Sequence, residues 1–216
     1  MKSSNKRVAI VDFGLGNIYS VVQACKHVGL DVIVSSDRDI LASADALILL
    51  GVGAFGEAMT ELKNRGLVEF LQDQAFSGKY IMGICLGMQL LMSESKEFGL
   101  FKGLGIVSGT TSKFVNNINN PVKIPQIGWN QITPLHCADW DDTLLKGLRN
   151  NEYMYFVHSY YVEPVESNII IAQTSYGDIN YCSAFQINNV YGFQFHPERS
   201  GPCGLKIYNN LKKALG

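Results

Sequence analysis

Four apolar runs punctuate the first half of the chain. Val8–Val11 is continuous and apolar, as in a parallel strand covered on both faces. The turn Asp12–Asn17 follows, with Asn17 placed to cap a helix whose apolar Ile18, Val21, Val22, Cys25 and Val28 fall near helical spacing and which Gly29 ends. Val32–Val34 predicts a second strand and Ala46–Leu50 a third. The third runs into the glycine turn Gly51–Gly56 and a helical segment through Met59 and Leu62. Tyr80–Cys85 predicts a fourth strand, and the apolar residues on to Met92 predict a helix after it. Strand–helix alternation with turns this short implies an α/β fold, a doubly wound, mostly parallel sheet flanked by helices with right-handed crossovers.

After Gly99 the pattern changes to short β-rich pieces: Ile106–Val107, Val122–Ile124, Tyr155–Val157, Ile169–Ala172, Cys182–Phe185 and Val190–Phe195. The polar stretch Pro134–Asn151 reads as a connection with a short helix near Leu144, and Gly201–Leu215 as a closing amphipathic helix. A mixed, antiparallel extension in the second half is therefore expected. With neither repeat nor linker in view, residues 1–216 read as one domain.

Composition narrows the function classes. Eighteen basic and 19 acidic residues are interspersed, for a net charge of -1, which argues against a nucleic-acid surface. Cys25, Cys85, Cys137, Cys182 and Cys203 are odd in number and irregularly spaced, so free thiols in a reducing cytoplasm are expected, with no disulfide framework and no metal site. The polar start Met1–Arg7 does not read as a signal peptide. The longest apolar run, Ala46–Phe55, is far below the roughly 20 residues of a membrane helix. The Gly14-Leu15-Gly16 turn lacks the third glycine of a dinucleotide fingerprint, and no cofactor is expected.

Chemistry enters at Gly83-Ile84-Cys85-Leu86-Gly87, which has the G-x-nucleophile-x-G form of a nucleophile elbow with Cys in place of Ser. A sharp strand-to-helix turn lifts the sulfur off the sheet edge and points helix N-terminal amides at it. The glycines on either side avoid a Cβ clash. A cysteine on an apolar strand is by default a small core residue, so catalysis needs further groups. His196 and Glu198, two apart across Pro197, can point into one site and supply a base and its orienting acceptor. His27 reads as a helix-surface residue and His136 as a loop residue, while His158 stays in contention. A second oxyanion donor beside the Leu86 amide could come from Gly51-Val52-Gly53, which otherwise is a plain turn.

These residues together resemble the class I (triad) glutamine amidotransferases, over Ile10 to about Ser200. Five stretches are similar to the glutaminase subunits of imidazole glycerol phosphate synthases in histidine biosynthesis: Asp12–Asn17, Gly51–Gly56, Gly83–Leu91, Ile127–Asn130 and Tyr155–Tyr160. The resemblance implies a Cys85–His196–Glu198 triad that hydrolyses glutamine through a thioester. It implies an oxyanion hole at Val52 and Leu86, and glutamine contacts at Gly51, Gly53, Gln89, Glu97, Ser159 and Tyr160. It further implies a (βα)8-barrel cyclase partner docked at Gln126, Trp129, Asn130, Tyr155, His158 and Arg199, and no cofactor. The family usually has Pro at Leu50, His-Met at Gln126-Ile127 and Lys at Arg199, so a sugar-amidotransferase partner is the alternative. A flavodoxin-like binding module with an inert Cys85 is a third reading.

Overall fold

The computed structural model describes residues 6–135 and 140–216. His136 and Cys137, read above as a loop histidine and a free thiol, lie outside them, as do the first five residues. Among the described residues, thirteen strands form one sheet. In chain order the elements are β1 (Arg7–Val11), α1 (Ile18–His27), β2 (Asp31–Ser35), α2 (Arg38–Ser43), β3 (Ala46–Gly51), α3 (Phe55–Asn64), α4 (Leu67–Phe76), β4 (Tyr80–Cys85) and α5 (Leu86–Leu90). The second half holds β5 (Met92–Ser95), β6 (Phe101–Lys102), β7 (Val107–Lys113), β8 (Gln126–Pro134), β9 (Glu152–His158), β10 (Tyr160–Pro164), β11 (Ile170–Tyr176), β12 (Ile179–Ile187), β13 (Val190–Phe193) and α6 (Gly201–Ala214).

The parallel part runs β2-β1-β3-β4-β13, and the sheet continues through β12, β10, β7, β5 and β6, mostly antiparallel. The expected architecture, parallel first and mixed later, is the one observed. β13 is the pivot: it leaves β12 through a two-residue turn at Asn188-Asn189, with Asn188 at φ 50, and lies parallel to β4. That pairing sets Gly192 beside Gly83 and so carries the chain after residue 193 to the end of the cysteine strand. Val8, Ile10, Ile48 and Met82 bury one face of the sheet, and Ala9, Leu47, Leu49 and Ile81 the other, which is why these strands are apolar throughout.

Several local expectations change. The helix after Cys85 stops at Leu90 rather than running to Met92. The carbonyls of Leu90, Leu91 and Met92 accept from Leu104, Val107 and Gly105, so a neighbouring segment takes the acceptors a longer helix would need. Val122–Ile124 is not a strand: the Asn116 side chain accepts from the Val122 amide at 2.9 Å, and Pro125 has no N–H for a ladder. No helix forms near Leu144; the chain turns there, burying Trp140, Leu144 and Leu145 and tying the indole to the Ile171 carbonyl at 2.7 Å. Asn17 makes no side-chain cap. α2, which the pattern does not show, is held by Asp37 accepting from the Asp39 and Ile40 amides. None of the helices among the described residues is long and apolar enough to cross a membrane.

Candidate active site

Cys85 ends β4 with φ 52 and ψ -113, the strained turn expected of an elbow. The reasons for the two glycines differ. A Cβ on Gly83 would sit 2.9 Å from the Gly87 backbone, as expected. A Cβ on Gly87 would instead lie 1.8 Å from the Leu49 carbonyl oxygen of the neighbouring strand. α5 thus packs directly on β3, and the β3–β4 register puts Gly51 opposite Cys85. The Gly51-Val52-Gly53 turn therefore leaves the sheet beside the sulfur, with Gly53 at φ 105 and Val52 49% exposed.

His196 comes from beyond β13. Its amide donates to the Tyr155 carbonyl at 2.9 Å, and the Ser200 hydroxyl both donates to the His196 carbonyl and accepts from the Tyr155 amide. α6 closes on this loop so tightly that a Cβ on Gly204 would meet the Pro197 oxygen at 1.8 Å. The imidazole Nδ1 lies 2.7 Å from Glu198 Oε1. Residues 197–199 form a 3-10 turn rather than extended chain, and this turn brings the carboxylate back to its own histidine. Burial disfavours a charged His196, but the facing Cys85 sulfur and the Glu198 carboxylate outweigh it and push its pKa up to about 10. Nε2 itself has no hydrogen-bond partner. The Cys85 thiol lies 3.8 Å from the Val157 carbonyl instead, and Gln194 Nε2 lies 3.8 Å from the sulfur. The base and the nucleophile face each other closely enough for the sulfur to raise the imidazole's pKa, but not in the distance and angle of a closed hydrogen bond, a geometry common before substrate arrives.

A cavity of about 380 Å³ opens at this point. Cys85, His196, Val52, Leu86, Gly51, Gly53, Gln89, Glu97, Ser159 and Tyr160 all line it. Every residue expected in the triad, oxyanion hole or glutamine contacts is at its wall except Glu198, which stands behind His196. Glu97 Oε2 accepts from the Phe55 amide at 2.6 Å, at the N-terminus of α3. Burial raises its pKa, opposed by that hydrogen bond and by Lys113. Gln89 Nε2 donates to the Tyr160 carbonyl at 3.0 Å and to Gln194 Oε1 at 3.2 Å. Phe98, Lys113, Val157 and Gln194 were not anticipated. Gln194 was findable, being two residues before His196, and Val157 lies within the stretch Tyr155–Tyr160; Phe98 and Lys113 carry no local signal.

His158 also reaches the cavity, but its ring is committed elsewhere: Nδ1 lies 2.8 Å from the Tyr160 carbonyl and Nε2 3.3 Å from the Tyr181 hydroxyl. Burial pushes its pKa down to about 4, the Tyr160 bond opposing and the His196 charge adding to the fall.

The expected docking residues divide by strand parity. β8 and β9 pair antiparallel, Gln126 opposite His158 and Trp129 opposite Tyr155. Side chains alternate across such a ribbon. Gln126 and His158 are 2% and 6% exposed and so turn away from the outer face, and Asn130, of the same parity, donates to the Ser175 carbonyl. The outward face carries Ile127, Trp129, Tyr153 and Tyr155, the first three each more than half exposed. Arg199 is exposed and lies over the Tyr155 ring at 4.3 Å, and Trp129 meets that ring edge-on at 6.1 Å. Ile127 and Tyr153 are additions. Leu50, the third departure from the family pattern, is buried against Gly16.

The chain is similar to known proteins along nearly its whole length. The chain is 41% identical over 211 residues to the imidazole glycerol phosphate synthase subunit HisH of Aquifex aeolicus, covering 96% of each. It is 43% identical over 208 residues to the subunit of that name from Methanothermobacter thermautotrophicus, covering 96% of this chain and 98% of the relative. The fold is similar to the structure of PurLQS from Thermotoga maritima, with a TM-score of 0.73 at 18% identity over 99% of this chain and 100% of that one. The family model described as glutamine amidotransferase class-I matches residues 9–212, and with an elbow cysteine and a carboxylate-backed imidazole facing one cavity, the chain belongs to the class I glutamine amidotransferases.

Proposed function

We propose that the chain is the glutaminase subunit of an imidazole glycerol phosphate synthase, and that Cys85, His196 and Glu198 are its catalytic residues. The observation that carries this reading is the elbow sulfur facing a carboxylate-backed imidazole across a cavity of amino-acid size. The Cys85 thiolate attacks the side-chain carbonyl carbon of glutamine. The oxyanion is held by the amides of Leu86 and Val52. His196, protonated, gives its proton to the departing nitrogen, so that ammonia leaves and a glutamyl thioester forms. Water then attacks the thioester as His196 takes its proton, releasing glutamate and the sulfur. Glu198 orients the ring through Nδ1. Gly51, Gly53, Gln89, Glu97, Ser159 and Tyr160 hold glutamine.

The outward stripe of β8 and β9 is the docking face for a (βα)8-barrel cyclase. Ile127 lies opposite Val157, and Val157 lines the cavity, so the stripe begins at the cavity mouth. A partner seated there would receive ammonia before it meets water, where protonation makes it non-nucleophilic. The names of the relatives favour this partner over a sugar amidotransferase. Cys85→Ala in the reconstituted complex should abolish glutamine-dependent product and leave ammonia-dependent turnover unchanged; equal loss of both would sink the reading. Glutamine hydrolysis stimulated by a sugar-modifying enzyme and not by the cyclase would sink the choice of partner.

A further inference from the structure

The Tyr181 hydroxyl of β12 lies 3.3 Å from His158 Nε2 and 3.0 Å from Gln126 Oε1. All three side chains are buried. With His158 neutral and its proton on Nδ1, the phenol has one proton and stands between two acceptors, so one contact cannot then be a hydrogen bond as it stands. Gln126 Nε2 meanwhile is a buried donor with no partner. A buried orphan N–H is among the rarest features of a folded protein. Turning the Gln126 amide over, which changes its shape hardly at all, removes the orphan N–H and leaves in its place a buried carbonyl oxygen, the less costly of the two. Nε2 then donates to the phenolic oxygen, and the phenolic proton goes to His158 Nε2.

On the other side of the ring, Nδ1 faces a carbonyl at 2.8 Å and must carry the proton. A charged imidazolium would satisfy the same contacts with the amide unturned. Burial and the neighbouring His196 charge oppose that state. The carbonyl in question is that of Tyr160, which also accepts from Gln89. Gln89 in turn reaches Gln194, and Gln194 reaches the Cys85 sulfur. An unbroken polar chain thus runs from the inner face of β8 to the nucleophile, along the wall of the cavity.

We propose that Tyr181 and Gln126 are positioning residues for glutamine: they hold a neutral His158 in its Nδ1–H tautomer, which anchors the Tyr160 carbonyl and with it the cavity wall. For its substrate the proposal rests on the glutaminase reading; for its chemistry it rests on the ring alone. Nitrogen NMR of the imidazoles in the full-length chain at neutral pH should show His158 protonated on Nδ1 only. Protonation on Nε2, or on both nitrogens, would overturn it. The effect on the cavity is read from alkylation of Cys85 by 6-diazo-5-oxo-norleucine, a glutamine-shaped electrophile. Tyr181→Phe should raise the half-saturating concentration about tenfold while the maximal rate stays within about twofold, as expected for loss of a single anchoring bond. Gln126→Glu, in its ionised form at neutral pH and above, supplies only acceptors, draws the phenolic proton away from the ring, and should raise the His158 pKa. An unchanged half-saturating concentration in Tyr181→Phe, or an unchanged His158 titration in Gln126→Glu, would overturn the proposal. A wild-type Cys85 that takes up no electrophile, alone or with partner, would instead overturn the glutaminase reading, leaving the tautomer measurement to decide this one.

Discussion

Gly87→Ala tests whether the elbow is held by packing against the neighbouring strand. The new Cβ would lie 1.8 Å from the Leu49 oxygen and 2.5 Å from its carbonyl carbon, against the 3.0 Å that real Cβ contacts essentially never go below. Leu49 cannot yield alone. It is 0% exposed and lies in register with Gly83 between β3 and β4. α5 must therefore retreat by roughly an ångström or more, since close-packed interiors transmit strain instead of absorbing it. Overpacking of this kind costs about 1–3 kcal/mol, and backbone atoms on both sides put this case at the upper end. α5 begins at Leu86, the proposed oxyanion donor. A misplacement of about 1 Å there should lower glutamine hydrolysis by roughly a hundredfold. Gly105→Ala is the control: φ is +62 and nothing lies within 4 Å, so only backbone strain of about 1–2 kcal/mol is added. Urea melts and ammonia release with partner present would be measured on both variants. Gly87→Ala with the stability of Gly105→Ala and more than half of wild-type activity would refute the reasoning.

The remaining predictions concern the two buried histidines. His196 should titrate near pH 10 in the wild type and well below that in Cys85→Ala, because burial persists when the sulfur charge is gone; an unchanged imidazole NMR titration would show that Cys85 does not act on it. His158 is depressed to about 4 from an unfolded value near 6.5. Its neutral form in the fold therefore contributes stability that is present above pH 6.5 and is lost as pH falls toward 4, by roughly 3 kcal/mol in all. Urea melts of wild type and His158→Gln between pH 7 and pH 4 should converge by about that amount, and parallel curves would contradict it.

Much of the parallel half was legible because strands buried on both faces are apolar throughout, as Val8–Val11 and Ala46–Leu50 are. β8, β10 and the extent of β12 were not legible, because polar residues suit strands whose outer face is wet. The apolar segment after Cys85 looked helical to Met92, yet residues 104–107 claimed its last carbonyls. Long-range partners of this kind leave no mark on local periodicity.

The site divides the same way. Residues close in sequence whose chemistry depends on short-range geometry, the elbow around Cys85 and the His196–Glu198 pair, could be read directly. Their meeting could not: β4 and β13 are more than a hundred positions apart, and only the parallel register of Gly83 with Gly192 sets the histidine loop beside the sulfur. Side-chain parity on β8 and β9 likewise decided that Trp129 faces outward while Gln126 and His158 turn inward. Sequence alone determined which chemical groups were available and how each adjoining backbone bends, since both are local properties. Which groups share a cavity, and which of two histidines is free to move a proton, was settled by strand pairing, because burial and hydrogen bonding are relations between distant parts of the chain.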